Sequence, residues 1–394
     1  MSPLGLLQAE RFPATPLSAG AIGPALCERA VELLDKLRRT EIVPYVLESS
    51  LLNLAQAVAT RMETDDFKNT SGGPFVLTRM RAFTAASLAA SSAGAVFQNV
   101  SVKPIDNDRN EPLAKAPVLL PVYLAVDDNA LVLDRPHVLA PDGSLGVMVR
   151  EGDTAGTTDL FWAFLGEVLY GDLLSAREVQ ELIALGLYPG FLGREVAWAQ
   201  VEAMRWLFGD GPRCATLAGE ALRWALRERV ADLRQKLAWA ERSTYVFGAG
   251  VIDITTNAVT SLPIGRFRNE SGSPVALFRM NLATLTDAAA SAAGAVFSNV
   301  SLEVYHSGPN RQLTKSPVLA PCLVGIRDSE WVFERPLVLG PGEAMEINAI
   351  EENVNGTTNV YAAVHGEHVR GLSAAELREA VSLGLYQPWR RSYT

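Results

Sequence analysis

The chain has 394 residues, of which 48% are hydrophobic and 20% are charged, a composition typical of folded globular proteins rather than disordered ones. Its net charge of −9 argues against binding to nucleic-acid phosphates, which usually requires a clustered basic surface. We therefore expect no nucleic-acid partner. The apolar runs are short and broken by prolines, as in "APVLLPVYLAV", so we also expect no membrane-spanning segment.

The first predicted element is an amphipathic helix. Four residues recur at the spacing of one helix face: Leu26, Ala30, Leu33 and Leu37. The hydrophobic period then changes to two, in short runs such as "VLTRMRAF", "AVFQNVSV" and "LFWAFLGE" separated by Gly, Pro, Asn and Asp. About eight such strands predict an antiparallel sandwich of the jelly-roll type. A closing helix follows, with Ser175 as N-cap and Glu178 completing a capping box.

Two helices are predicted next, as a connector. The first, "REVAWAQVEAMRWLF", spans Arg194 to Phe208 and ends at "GDGP", and the second runs from about Thr216 to Arg242. Their large apolar residues need a surface to cover them, either between the two halves of the chain or at a contact with another subunit. Four connector tryptophans are the predicted assembly residues: Trp198, Trp206, Trp224 and Trp239.

The second half of the chain repeats the first at a constant offset. Phe67 to Met80 reads "FKNTSGGPFVLTRM" and Phe267 to Met280 reads "FRNESGSPVALFRM", and "GAVFQNVS" and "GAVFSNVS" keep the same register. A second capping box begins at Ser373. This register predicts an internal duplication and a mainly β fold of two tandem antiparallel sandwiches. The predicted divisions are 1–41 for an N-terminal segment and helix, 42–190 for the first sandwich and closing helix, 191–242 for the connector, and 243–394 for the second sandwich and closing helix.

The repeated "N-x-S-G-x-P" stretch predicts a tight corner where one strand ends and the next core strand begins. We expect Asn and Gly to supply positive φ angles there, and Pro to stop the corner from extending the strand ladder.

No histidine recurs between the halves. The four histidines, His137, His306, His365 and His368, stand opposite Leu337, Asp106, Leu165 and Val168. The sequence has no G-x-S-x-G elbow, no P-loop and no G-x-G-x-x-G after a strand. Its three cysteines are widely spaced and are predicted to be small buried residues. We therefore expect no catalytic residue, no cofactor and no metal site.

Three basic residues do recur: Arg79 with Arg279, Arg135 with Arg335, and Lys115 with Lys315. They fit either a ligand-binding stripe present in both halves or intramolecular ion pairing inherited from a common ancestor, and we favour ion pairing.

A helix-led jelly roll, duplicated in one chain and carrying an "FxNxSGxP" corner and an "FxNVS" core strand, resembles the structural proteins of bacterial viruses. The resemblance covers both halves and is to capsid, decoration or tail-associated jelly-roll subunits. It implies assembly into a virion after synthesis in the host cytoplasm, with further copies of the chain and other virion proteins as partners and with no active site. The tandem arrangement favours a threefold homo-oligomer, because three subunits present six similar sandwiches around one axis.

The alternative is a β-sandwich that binds a carbohydrate or a host receptor. Sugar platforms generally need exposed aromatic rings, and aromatic residues make up only 8% of the chain. Trp162 lies in a core-like strand run, which leaves Trp331 and Trp389 as the predicted exposed platforms.

Overall fold

The structure is a computed structural model, and the residues that it describes are 19–48, 52–55, 59–61, 67–86, 100–109, 111–113, 116–120, 124, 130–151, 157–171, 173–188, 203–209, 213–248, 252–255, 259–261, 267–286, 300–324, 330–351 and 357–386. We call residues 19–188 the first unit and residues 213–386 the second unit.

The elements described in the first unit are, in chain order, α1 (Ala19–Arg39), β1 (Glu41–Glu48), β2 (Leu52–Ala55), β3 (Ala59–Arg61), β4 (Phe75–Ala86), β5 (Val100–Asp106), β6 (Glu111–Pro112), β7 (Val118–Leu119), β8 (Ala130–Leu139), β9 (Leu145–Glu151), β10 (Thr157–Tyr170) and α2 (Ala176–Ala184). Residues 203–208, between the units, are helical.

The elements described in the second unit are α3 (Leu217–Trp239), β11 (Glu241–Gly248), β12 (Ile252–Thr255), β13 (Val259–Ser261), β14 (Phe267–Arg268), β15 (Val275–Thr286), β16 (Val300–His306), β17 (Arg311–Gln312), β18 (Val318–Leu319), α4 (Ala320–Val324), β19 (Glu330–Leu339), β20 (Ala344–Glu351), β21 (Thr357–Arg370) and α5 (Ala374–Ser382).

Each unit is a sandwich of two antiparallel sheets. In the first unit one sheet has the order β1-β10-β4-β8, with β2 also on β10, and the facing sheet has the order β3-β9-β5-β6, with β7 also on β5. The second unit repeats this arrangement as β11-β21-β15-β19 and β13-β20-β16-β17. In each unit the first strand pairs with the last, as in a jelly roll. The predicted fold of two tandem antiparallel jelly-roll sandwiches is confirmed.

The strand registers agree as closely as the strand orders. Val46 lies opposite Leu165 in β10, and Val246 lies opposite the residue at the same position in β21. The equivalent strands β4 and β15 each have a register shift just before Arg79 or Arg279. Equivalent residues therefore occupy equivalent positions on the two backbones.

The repeated corner is closed by an asparagine side chain. The Asn69 amide donates to the carbonyl oxygens of Gly73 at 2.8 Å and Ala140 at 3.0 Å, while its oxygen accepts a hydrogen bond of 2.6 Å from the Ser71 hydroxyl. The Asn269 amide donates to the Ser273 carbonyl oxygen at 2.9 Å and to that of Leu339, one residue before the counterpart of Ala140, at 3.0 Å, and its oxygen accepts from the Ser271 hydroxyl. Gly72 has a φ of 83°, but neither asparagine has a positive φ. Our prediction for the asparagines was wrong in this respect, because they close the corner with buried amide hydrogen bonds rather than a left-handed backbone.

The closing helices begin as predicted. Ser175 and Ser373 each accept the backbone N–H three residues later, and Glu178 and Glu376 accept the N-cap N–H groups in return. Gly186 and Gly384, just after the helices, have φ angles of 68° and 67°. Both helices therefore carry the full capping box and a left-handed glycine stop.

The long helices cover the outer sides of the sandwiches. In α3, Leu226, Val230 and Leu233 join an apolar cluster with α1 and α2, whereas Leu237 joins a second cluster with α5. These apolar residues of α3 are therefore covered within the chain, and this one helix packs against both units. Of the first predicted connector helix, the described part, residues 203–208, is helical, and residues 194–202 lie outside the described part of the chain.

Candidate assembly surfaces

The two units meet along the outer edge of β1. The Val46 N–H donates to the Leu313 carbonyl oxygen at 3.0 Å, and the Lys315 N–H donates to the Val46 carbonyl oxygen, also at 3.0 Å. Val46 and Thr314 thus form a parallel bridge that extends the first unit's sheet by one short segment of the second unit. The edge of β1 is therefore used inside the chain.

Side chains of the first unit extend this contact. The Glu48 carboxylate accepts the Leu319 N–H at 2.9 Å, and the Arg81 guanidinium donates to the Leu323 carbonyl oxygen at 2.6 Å. Both side chains are buried, and they bond backbone groups next to or within α4. We call the contact of β1, β4 and β10 with residues 311–324 and β19 the unit junction.

A buried ion pair lies in the unit junction. Arg335 of β19 is 3.0 Å from the Glu167 carboxylate of β10, and each side chain is at most 4% exposed. The Tyr188 hydroxyl donates to Glu167 at 2.8 Å, and the Arg335 guanidinium lies 4.4 Å from the centre of the Tyr188 ring. Burial raises the pKa of Glu167, although the Arg335 charge acts to lower it. The pair joins two residues that are far apart in the sequence, as expected for a structural ion pair rather than an exposed ligand site.

A second buried charge pair lies nearby. Arg79 of β4 is 3.8 Å from the Glu334 carboxylate of β19. Burial raises the pKa of Glu334, with the Arg79 charge opposing that shift. The counterpart arginine, Arg279, instead pairs with Glu330 of its own unit at 2.9 Å.

The helices add a further contact between the units. Arg38 of α1 is 3.4 Å from Glu379 of α5, and the Ser382 hydroxyl donates to the Thr40 carbonyl oxygen at 3.0 Å. A cavity of about 20 Å³ lies between β1, β19 and α5. It has room for about one water molecule and is far smaller than a ligand pocket.

The second unit exposes the surface that corresponds to β1. Val46 is 0% exposed, whereas Val246 is 50% exposed, and Tyr45 is 3% exposed, whereas Tyr245 is 39% exposed. β11 lies at the edge of its sheet and pairs with β21. Further along the same edge β12 also pairs with β21, and among the described residues no other strand pairs with β11. We call β11 the free strand edge.

The first unit exposes the surface that corresponds to residues 311–324. Leu319 is 1% exposed in the unit junction, whereas Leu119 is 47% exposed. Val132 in β8, the counterpart of a partly buried valine in β19, is also exposed. We call residues 111–113 and 116–120 together with β8 the free segment.

The predicted assembly tryptophans differ in their surroundings. Trp206 is partly buried and packs against the cluster of α1, α2 and α3. Trp224 and Trp239 are exposed, and the Arg227 guanidinium lies 5.0 Å from the Trp224 ring. Trp198 lies outside the described residues. The structure thus leaves two of the four available on the outer face of α3.

Intramolecular pairing accounts for the repeated arginines that are described. Arg79, Arg279 and Arg335 each lie within 4 Å of a glutamate carboxylate. The Lys315 backbone bonds to Val46, while Lys115 and the side chain of Arg135 lie outside the described part of the structure. The favoured interpretation, ion pairing, holds for these three arginines.

Sequence reasoning missed contacts between residues that are distant in the chain. The thiols of Cys27 and Cys214 are 2.9 Å apart, and burial followed by the contact with Cys27 raises the pKa of Cys214 to about 12. His137 lies 2.9 Å from Asp106, and His306 lies 3.1 Å from Glu343. Within the described residues, no cluster of three or more His, Cys, Asp or Glu side chains has metal-binding geometry.

Trp331 is not an exposed platform. It is 3% exposed and its ring meets Phe333 edge to face, with centroids 4.8 Å apart. The prediction of an exposed ring was wrong because Trp331 and Phe333 are two residues apart in β19 and therefore face the same side of the sheet, which is the core side. Trp389 lies outside the described residues, and none of the described helices is long and apolar enough to cross a membrane.

No known protein family and no curated protein matches the sequence. The solved structures similar to it include the major capsid protein P2 of bacteriophage PM2, at 10% identity and a TM-score of 0.22, covering 84% of this chain and 100% of that one. A subviral particle of infectious bursal disease virus VP2 has 8% identity and a TM-score of 0.21, with 87% and 73% of the two chains covered. The PBSX exported protein XepA has 10% identity and a TM-score of 0.17, with 83% and 86% covered. Viral capsid proteins are thus among the similar structures, and scores of this size carry no argument about function.

Proposed function

We propose that the protein is a non-enzymatic structural subunit of a virion, in a capsid, decoration or tail-associated position. Its partners are further copies of the chain and other virion proteins, with no role for nucleic acid or membranes. The proposal combines the sequence resemblance to virus structural proteins with the way in which the two units bind each other.

One observation carries the proposal. The unit junction joins two similar sandwiches head to tail through a strand edge, a sheet face and buried ion pairs. The chain therefore already contains one complete contact between jelly rolls, of the kind from which a larger assembly is built. A closed ring of three copies, with six similar sandwiches around one axis, is the arrangement that we propose.

The exposed apolar groups point the same way. Leu119, Val132, Tyr245 and Val246 are large apolar residues that are exposed although they lie in β-strands. Trp224 and Trp239 add two aromatic rings on the outside of α3. Exposed apolar residues of this kind are typical of protein contact surfaces.

A particle inventory tests the proposal. Host cells carrying the gene are induced, particles are banded in a density gradient, and their proteins are identified and counted by mass spectrometry. We expect the chain in the particle band at a fixed ratio to the other particle proteins. A chain present only in the free protein fraction would contradict a virion role.

The carbohydrate- or receptor-binding alternative has lost its best-placed residue, since Trp331 is buried. A glycan array with the full chain separates the two functions, because a structural subunit is expected to show no glycan binding that depends on an exposed tryptophan such as Trp224.

A further inference from the structure

We propose that the free strand edge of one copy binds the free segment of a second copy, reproducing between chains the contact that joins the two units within a chain. The partner is therefore this same protein, bound head to tail. The inference deepens the assembly role proposed above and rests on it.

The free strand edge has the same backbone geometry as β1. Residues of β11 pair with β21 in the register in which those of β1 pair with β10, so Val46 and Val246 occupy the same position at the edge. In β1 both backbone groups of this valine bond to residues 313 and 315. The backbone of Val246 is therefore placed to bind an equivalent segment, and its side chain is already exposed.

The free segment likewise matches residues 311–319 of the second unit in its described positions. β7 and β18 pair with their neighbours in one register, with Leu119 opposite Ser101 and Leu319 opposite Ser301. The N–H of Leu113 bonds to the Pro104 carbonyl oxygen at 2.9 Å, as that of its counterpart does to the equivalent carbonyl at 2.7 Å. The described residues of the two segments are thus held in the same position on their sandwiches.

Exposed apolar residues lie on both sides. Leu119 and Val132 are exposed on the free segment, and Tyr245 and Val246 on the free strand edge. In the unit junction the counterparts Leu319, Tyr45 and Val46 are buried. An exposed strand edge readily pairs with another chain unless something covers it. Because residues 313–319 cover β1, the equivalent segment of a second copy is the group that we expect to cover β11.

The charged residues at the rim differ between the two contacts. In the unit junction Arg311 lies 4.1 Å from the centre of the Tyr170 ring and 4.0 Å from the Glu41 carboxylate. The counterpart positions hold Glu111, Arg370 and Glu241, so docking in the same geometry places Glu111 beside one opposite charge and one like charge. Arg370 is exposed at present, with Glu241 as its partner at 3.1 Å.

Two charged side chains of the unit junction have no charged counterpart. Gly248 stands where Glu48 accepts the Leu319 N–H, and Asn281 stands where Arg81 donates to the Leu323 carbonyl oxygen. The contact between copies therefore lacks two charge-assisted hydrogen bonds and is weaker than the contact within the chain. A head-to-tail contact of this kind closes into a ring or continues as a filament, according to the rotation between copies.

The first test uses light scattering and mass photometry on the full chain. Val246→Lys blocks the free strand edge and Leu119→Lys blocks the free segment, and Met148→Lys changes an exposed residue of β9, outside both surfaces, as a control. We expect a concentration-dependent oligomer for the wild type and the control, and a dissociation constant raised about ten-fold or more in each blocked variant. Circular dichroism checks that all three variants are folded, as expected for exposed positions.

Mixing the two blocked variants tests the head-to-tail geometry. Val246→Lys retains its free segment and Leu119→Lys retains its free strand edge, so we expect them to form a one-to-one dimer and nothing larger. A contact between identical surfaces would give no such pairing.

Three results would overturn the inference: a wild type that stays monomeric at the highest attainable concentration, oligomers unaffected by both substitutions, or no dimer in the mixture. If the chain is found in particles but these substitutions do not affect assembly, the virion role stands and this contact is wrong. If the wild type forms the predicted oligomer but is absent from particles, the contact stands and the virion role is wrong.

Discussion

The two units have the same strand order, the same registers and the same capped helices, yet they differ in which surface is covered. β1 is covered by residues 313–319 of the second unit, whereas β11 is exposed along most of its length. Val46 and Val246 are the same residue in the same register. The comparison shows that burial at these positions is determined by the neighbouring unit and not by the local sequence.

The charged residues show which contacts are particular to one unit. One pair of the helix network occurs in both units, as Arg29 with Glu181 at 2.8 Å and as Arg229 with Glu379 at 2.6 Å. By contrast, Glu167 obtains its arginine from the other unit, while the corresponding tyrosine of the second unit, Tyr386, lies 4.8 Å from an arginine of its own unit. Contacts within a unit are thus retained, and contacts across the unit junction are replaced where no second unit is available.

The largest expected effect comes from removing the buried charge of the unit junction. Arg335→Ala leaves Glu167 buried without its ion-pair partner, and we expect a loss of about 3–5 kcal/mol in the free energy of unfolding. Urea denaturation followed by fluorescence measures the change.

The matched control is Arg370→Ala, which removes an arginine from the exposed pair with Glu241. Because water and salt screen an exposed pair, little or no change is expected. Equal losses in the two variants would show that the unit junction contributes no more to stability than the outer surface does.

The next effect compares one residue type at equivalent positions. Leu319→Ala removes a fully buried side chain and should cost about 2–5 kcal/mol. Leu119→Ala changes an exposed side chain and should cost less than about 0.5 kcal/mol in the dissociated protein. If both variants were destabilised alike under dissociating conditions, Leu119 would have to be covered within a single chain.

The parts of the fold that follow from local pattern were predictable from the sequence. The apolar faces of the helices, the capping boxes at Ser175 and Ser373 and the alternating strands are each written within a few adjacent residues. The repeat extended these predictions to the second unit, because equal local sequences form equal local structures.

The unit junction was not predictable in this way. The contacts of Arg335 with Glu167 and of Cys27 with Cys214 join residues far apart in the chain, and no periodic pattern encodes which distant surfaces meet. Burial of Trp331 did have a local signal, since Trp331 and Phe333 are two residues apart in one strand and so share one face. The retention of Arg135 and Arg335 pointed to paired charges, but only the structure identifies the partner of Arg335.

A smaller effect tests whether the capped helices contribute equally. Ser175→Ala and Ser373→Ala each remove a hydroxyl that accepts a backbone N–H, and each should cost about 1 kcal/mol in the free energy of unfolding. The two losses should agree because the bond lengths, 3.3 Å and 3.2 Å, are nearly the same. Clearly unequal losses in urea denaturation would mean that the surroundings of the two caps differ despite their common geometry.

The smallest effect is the pH dependence of stability that comes from the two capping-box glutamates, Glu178 and Glu376. Burial acts to raise the pKa of Glu178, but hydrogen bonds from Lys36 and Ser175 outweigh it and hold the pKa at about 2. The bond from Lys236, followed by that from the Ser373 backbone, likewise holds the pKa of Glu376 at about 2.

Since an unfolded glutamate has a pKa of about 4.3, both groups stabilise the folded state fully above that pH and lose their contribution as the pH falls towards about 2. Glu178→Gln and Glu376→Gln should therefore each make stability less dependent on pH between about 4.5 and 2, by similar amounts and by less than a lost cap, because water screens these partly exposed pairs. Urea denaturation at a series of pH values measures the slopes. Slopes equal to that of the wild type in both variants would show that neither carboxylate is held by its lysine, and a change in only one variant would place a real difference between two networks that look alike.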